Sequence, residues 1–149
     1  MSGTNEERIV VGVDGSPEAE AALRWANAAA QRAGAMLDVV TAWSLPAAFS
    51  WDVGAYGIDW QGDAEKSLQA TLDEVFGADR PANLRTFALE GDPAHCLVEH
   101  ARGARMLVVG NRGRGGFRGL LLGSVSSKCA AHAKCPVLIV HAGDELPAE

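Results

Sequence analysis

Gly110, Asn111, Arg112 and Gly113, followed after nine residues by Gly123 and Ser124, are residue types at a spacing that can hold a phosphate. Just upstream, Arg105-Met106-Leu107-Val108-Val109 is a β-rich apolar run, and just downstream Ser124 to Ala133 reads as a helix. The glycines therefore sit between the carboxyl end of a strand and the start of a helix. Glycine permits positive φ and lets a ligand reach the main chain with no Cβ in the way. The first amides of a helix offer unpaired N–H donors and a positive dipole end to an anion. Nucleotide binding is the chemistry this implies, while the same residues also fit a plain glycine-rich surface loop with Ser124 as a helix cap. No Lys precedes Ser124, so this is not a Walker A loop. Gly12-Val13-Asp14-Gly15-Ser16, after the first strand, contains no G-x-G-x-x-G and is not a dinucleotide fingerprint.

The elements that must position these residues follow from apolar periodicity and turn signals. Arg8 to Val13 is a buried-strand run, and Asp14-Gly15-Ser16-Pro17 is a turn in which Ser16 caps a helix with Pro17 at its first position. That helix runs on Ala-rich sequence to about Arg32 and stops at Ala33-Gly34; Met36 to Ala42 is the second strand. A helix from about Asp63 to Phe76 leads to a third strand at Leu84 to Leu89, and Asp92-Pro93 opens a third helix reaching about Arg102. After the strand at Met106 to Val109 and the helix from Ser124 to near Lys134, Pro136 to His141 is a fifth strand. Strands alternating with helices in short repeats predict an α/β fold, an open parallel sheet with helices on both faces. Right-handed crossovers then require one reversal of winding direction, which leaves a ligand crevice at the carboxyl ends of two neighbouring strands. If those are the first and fourth strands, Asp14 and the Gly110 loop meet across it.

A chain of 149 residues that is 48% hydrophobic suits one compact domain over 1–149, with 1–7 and 143–149 expected as flexible tails. The net charge of −6 argues against nucleic acid or an anionic membrane as partner, so any phosphate site must be local. The start lacks the pattern of a signal peptide and no apolar run is long enough to span a bilayer, which predicts a cytoplasmic location. Three cysteines with no C-x-x-C fit reduced thiols.

Other constellations carry less. The Arg112 to Gly119 stretch is a single RGG-like copy in an acidic chain, against the repetition such RNA-binding tracts need. Cys129, His132 and Cys135, and His95, Cys96, Glu99 and His100, lack the paired-ligand spacing of a structural zinc site. Ser16, Ser124 and Ser126 have no sequence-local His to activate them, whereas Asp14 can orient a water toward a phosphate, which leaves slow hydrolysis open. Arg114 and Arg118 fit phosphate partners or solvated loop arginines equally. Trp43, Phe49, Trp51, Tyr56 and Trp60, five of the nine aromatics, fall in one connecting segment that suits a lid, a dimer contact, a partner surface or a satellite core. The apolar last strand reads as a sheet edge, and a homodimer through Val137 to His141 is expected.

Val10-Val11-Gly12-Val13-Asp14-Gly15-Ser16, Val108-Val109-Gly110-Asn111-Arg112-Gly113, Gly123-Ser124-Val125-Ser126 and Cys135-Pro136-Val137-Leu138-Ile139-Val140, in that order, resemble a universal stress protein domain, of the subclass whose G-x-x-G, nine residues, G-[ST] motif binds ATP. The resemblance covers nearly the whole chain. It implies a five-stranded parallel sheet in order 3-2-1-4-5, of the adenine nucleotide alpha hydrolase-like or Rossmann-like kind, with an adenine nucleotide over the first and fourth strands. Carried over by position, the first-strand end at Val11, Gly12 and Val13 leads to Asp14, which contacts the ribose side or a magnesium ion. Main chain at Val40 and Thr41 meets adenine. Gly110, Arg112, Gly113 and Arg114 close over ribose and phosphates, and Gly123, Ser124, Val125 and Ser126 hold the phosphates. ATP is the implied cofactor, with cyclic AMP, AMP or ADP as alternatives, in a stress or signalling protein whose nucleotide occupancy regulates an unidentified protein partner. A slow ATPase and a nucleotide-independent dimeric scaffold are the rival readings on the same fold.

Overall fold

Short apolar runs punctuated by Pro, Gly and Asp turn signals fold into alternating strands and helices in a computed structural model that describes residues 6–45, 58–113, 122–144 and 146. Among the described residues the elements are β1 Arg8–Gly12, α1 Pro17–Ala33, β2 Met36–Trp43, α2 Trp60–Phe76, β3 Leu84–Glu90, α3 Pro93–His100, β4 Met106–Gly110, α4 Ser124–His132 and β5 Val137–Val140. The strands form one sheet in order β3-β2-β1-β4-β5, every pair parallel, as the resemblance implies.

Alternation along the strands decides which helix packs where. Val11, Val39, Leu37 and Val108 face a core closed by α1 and α2, whereas Val10, Val40, Leu107 and Val109 face a second core closed by α3 and α4. Along α1, Ala19, Ala22, Ala26 and Ala30 are buried at helical spacing, and these small side chains let the helix lie close on the sheet. Its start has the expected form: Ser16 is the cap, its Oγ accepting from the Ala19 amide at 3.1 Å, with Pro17 next. Gly34, at φ 64°, ends it in the left-handed conformation that glycine adopts without strain.

The strand ends differ from the sequence expectation by a single residue, and three helix ends differ by more. Helix α2 begins at Trp60 rather than Asp63, because the Asp59 carboxylate accepts from the Gly62 amide at 2.9 Å and starts the helix a turn earlier. Helix α3 ends at His100, not Arg102. Helix α4 ends at His132 rather than Lys134; Ala133 is already extended and Pro136 disfavours helical backbone just before it. Residues 6 and 7, expected in a tail, are engaged: the Glu7 carbonyl accepts from the Met36 amide at 2.9 Å, and the two side chains meet Arg85 and Arg105 at 3.1 and 3.0 Å.

One polar group interrupts the α3 side of the sheet. Asp38, 2% exposed, accepts from Arg85 Nε at 2.7 Å and lies 3.0 Å from His100 Nε2 and 3.8 Å from Arg8. Burial pushes its carboxyl up, but the hydrogen bonds from His100 and Arg85 outweigh that and hold it below the ordinary value of 3.8. Arg8 also donates to the carbonyls of His100 and Arg102, tying the carboxyl end of α3 to β1. This cluster sits at the amino-terminal half of the sheet and leaves the carboxyl ends of the strands for the site.

Candidate functional site

The strand order places β1 beside β4, with Val10 opposite Leu107, so the chain reverses its winding direction between them. Beyond their carboxyl ends lies a cavity of about 300 Å³. Its wall divides by origin. Val40 and Ala42 of β2, Leu97 and Pro93 of α3, and Val109 of β4 are apolar. The turn after β1 adds Val13, Asp14 and Ser16, and the loop after β4 adds Arg112 and Gly113, with Gly123, Ser124, Val125 and Ser126 closing the opposite side. An apolar slot next to main-chain amides, one carboxylate and one guanidinium suits an apolar ring system bearing an anionic group.

The loops are held by main-chain bonds. Asn111 N–H donates to the Val140 carbonyl at 2.8 Å, and the Asn111 carbonyl accepts from both the Gly123 amide at 2.7 Å and Ser126 Oγ at 2.8 Å. The start of α4 is thereby fixed to the end of β4. The cap of α4 is Gly123, in extended backbone, a residue with no side chain to bond the first amides of this helix. Ser124 is thus the first helical residue and not the cap, which removes the plain capping role weighed for it. On the other side, the Val13 amide donates to the Val40 carbonyl at 2.9 Å, and Asp14 Oδ1 accepts from the Ser16 amide at 3.0 Å, presenting the carboxylate beside the helix start.

Positive φ, one of the two reasons expected for these glycines, does not apply. None of Gly110, Gly113 and Gly123 has positive φ. Each instead permits a close approach. A Cβ on Gly110 would lie 2.7 Å from Glu18 Cβ and 2.8 Å from its main-chain carbon, so this glycine lets α1 pack on the end of β4. A Cβ on Gly113 would overlap the Asp14 carboxylate, and one on Gly123 would press on the Arg112 Cα at 3.3 Å. Gly12 likewise makes room for Leu97 of α3.

The model of the universal stress protein family matches residues 6–141. The chain belongs to the universal stress protein family. Universal stress protein Rv2005c of Mycobacterium tuberculosis is 36% identical to it over 148 residues, which cover 91% of this chain and 48% of that protein. The chain thus spans about half the length of the curated mycobacterial relatives it matches. Among solved structures, a universal stress protein in complex with cAMP superposes with a TM-score of 0.66 at 31% identity, covering 94% of this chain and all of that one (100%). The universal stress protein from Archaeoglobus fulgidus in complex with dAMP does so at 0.64 and 26%, covering 92% and 99% of the two chains.

In this universal stress protein chain the cavity brings together most of the residues singled out by sequence. Gly12, Val13, Asp14, Val40, Gly110, Arg112, Gly113 and Gly123 to Ser126 all line it. Val11 does not, because its side chain is fully buried in the core under α1. The Thr41 side chain does not, since alternation along β2 turns Val40 and Ala42 toward the cavity and Thr41 away; the expectation for Thr41 concerns its main chain. Arg114 and Arg118 lie outside the described residues, as does most of the aromatic segment. Sequence reasoning missed Ala19, Ala42, Pro93, Leu97 and Val109 as wall residues, and had Ser16 only as a cap. Period-two alternation from Val40 could have found Ala42; α3 enters only through tertiary packing. Among the described residues no group of three or more His, Cys, Asp and Glu side chains is placed to hold a metal ion, and none of the described helices is long and apolar enough to cross a membrane.

Proposed function

We propose that this chain is a nucleotide-binding universal stress protein that takes ATP in the crevice between β1 and β4, and that occupancy alters its affinity for a protein partner. The observation that carries the reading is the joint presence in one cavity wall of Asp14, Gly113 and the amino terminus of α4, whose cap is a glycine. The cAMP and dAMP complexes of similar proteins support an adenine nucleotide as the ligand class. In this arrangement the base enters the slot formed by Val40, Ala42 and Leu97, Asp14 faces the ribose, and the phosphates meet Gly113, Arg112 and the Ser124 and Val125 amides. Magnesium fits the same wall: it commonly binds through one or two carboxylates together with ligand phosphates, and Asp14 supplies one. Cyclic AMP, AMP and ADP are competing ligands for the same slot.

Binding is tested by isothermal titration of the nucleotide-stripped protein with ATP, with and without magnesium, and of Asp14→Ala. The reading expects ATP binding in the wild type and at least tenfold weakening in the variant, about 1.4 kcal/mol. Equal binding by both would remove Asp14 from the site, and no binding by either would refute the reading. Release of ADP that disappears in Asp14→Ala would favour slow hydrolysis. Strand β5 is an edge of the sheet, and we assign it, over Val137 to His141, as the pairing surface of a homodimer.

A further inference from the structure

Arg112 is the one cation among the described residues that line the cavity, and it already has an ionic partner. Its NH2 lies 3.3 Å from Glu18 Oε2, and the two side chains are 36% and 14% exposed. Glu18 belongs to the first turn of α1, where a carboxylate is favoured by the helix dipole. Its main chain lies against Gly110, at the end of β4. Glu18 is the more buried half of the pair and Arg112 the half more open to solvent. Arg112 Nε is buried with no hydrogen-bond partner among the described residues. The guanidinium thus keeps donor capacity while its charge is balanced by Glu18.

We propose that Glu18 is a specificity-determining residue: by holding Arg112 across the mouth of the cavity, it makes nucleotide affinity depend on how many phosphate charges can compete for that guanidinium. The inference rests on the nucleotide-binding reading. A ligand with a di- or triphosphate tail carries several charges and oxygen acceptors and draws Arg112 from Glu18. A cyclic monophosphate carries a single charge and competes poorly, so it binds chiefly through the slot and the α4 amides. Removing the Glu18 charge releases Arg112 and favours the longer tail selectively.

The test is the ratio of ATP to cyclic AMP affinity, measured by titration of the full chain at low salt, for wild type, Glu18→Gln, Arg112→Gln and the double variant. A half-exposed ion pair of this kind is modest, so Glu18→Gln is expected to tighten ATP by about three- to fivefold and cyclic AMP by less than about twofold. Arg112→Gln is expected to weaken ATP and to erase the effect of Glu18→Gln. An unchanged ATP to cyclic AMP ratio in Glu18→Gln overturns the proposal. So does an equal gain in the Arg112→Gln background, which would mean plain repulsion without a latch. If wild type binds neither nucleotide, this proposal and the reading beneath it both fall, which is distinct from either result. Melting without ligand follows the helix-dipole role of Glu18, which moves stability but not the ratio.

Discussion

Replacing Gly110 and Gly113, one at a time, by Ala should separate folding from binding within a single loop. At Gly110 the new methyl would sit 2.7 Å from Glu18 Cβ, 2.8 Å from its main-chain carbon and 2.9 Å from its carbonyl oxygen. Two of those atoms are helix backbone, so α1 must move off β4. Overpacking against atoms that cannot rotate away falls at the upper end of the usual range, about 3 kcal/mol. For a chain of this length that lowers the melting temperature by roughly 6 to 12 °C. At Gly113 the clash, among the described residues, is with the Asp14 carboxylate, the far end of a side chain. The carboxylate can swing away, losing its bond from the Ser16 amide, worth about 1 kcal/mol. Melting should then fall by only roughly 2 to 4 °C, while displacement of Asp14 weakens ATP by about tenfold. The assay is thermal unfolding followed by circular dichroism, paired with ATP titration at a temperature where both variants are folded. A Gly110→Ala protein that melts with the wild type, or a Gly113→Ala protein that is more destabilised than Gly110→Ala, would refute the reasoning.

The buried Asp38 makes a second prediction. Its folded carboxyl titrates below the ordinary 3.8, so its contribution is present above that value and is lost as the pH falls through the lower folded value. Asp38→Asn should lose about 2 kcal/mol at neutral pH, less than for a fully buried pair because Arg85 and His100 can reach water, and chemical denaturation should show the wild-type advantage shrinking below about pH 3.8. Burial pushes the Cys129 thiol up to about 11, with the nearby Asp92 and Cys135 adding to it. In native protein at pH 8, alkylation followed by mass spectrometry should therefore modify partly exposed Cys135 well before fully buried Cys129. Ser16→Ala should lower stability by about 1 kcal/mol through loss of the α1 cap, measured by denaturant unfolding.

Local signals made the fold legible. Pro17 and Pro93 each mark a first helical turn, Ser16 and Asp92 cap the same helices, and the apolar runs at Arg8, Met36 and Met106 are strands where they were expected. The start of α2 was hidden because Gly62 looks like a breaker; tertiary contacts stabilise that turn, with Trp43 Nε1 donating to Gln61 Oε1 at 2.6 Å and Gln61 Nε2 donating to the Ala88 carbonyl at 3.1 Å. The glycine spacing pointed to the crevice, yet the atoms each glycine makes room for were not readable, since Glu18, which Gly110 abuts, lies in the first turn of α1, far from it in the chain. Asp38 looked like an ordinary polar position of a strand. Its partners Arg85 and His100 are 47 and 62 residues away, and only the sheet order and the docking of α3 bring them to it.

The central claim is that an adenine nucleotide occupies the crevice between β1 and β4. It is tested most directly by denaturing freshly purified protein and quantifying released nucleotides by liquid chromatography and mass spectrometry, with a thermal-shift titration of the stripped protein alongside. The expected result is an adenine nucleotide, ATP foremost, in near-stoichiometric amount, and stabilisation on adding it back. Protein that releases no nucleotide and whose melting is unmoved by ATP, ADP or cyclic AMP would contradict it.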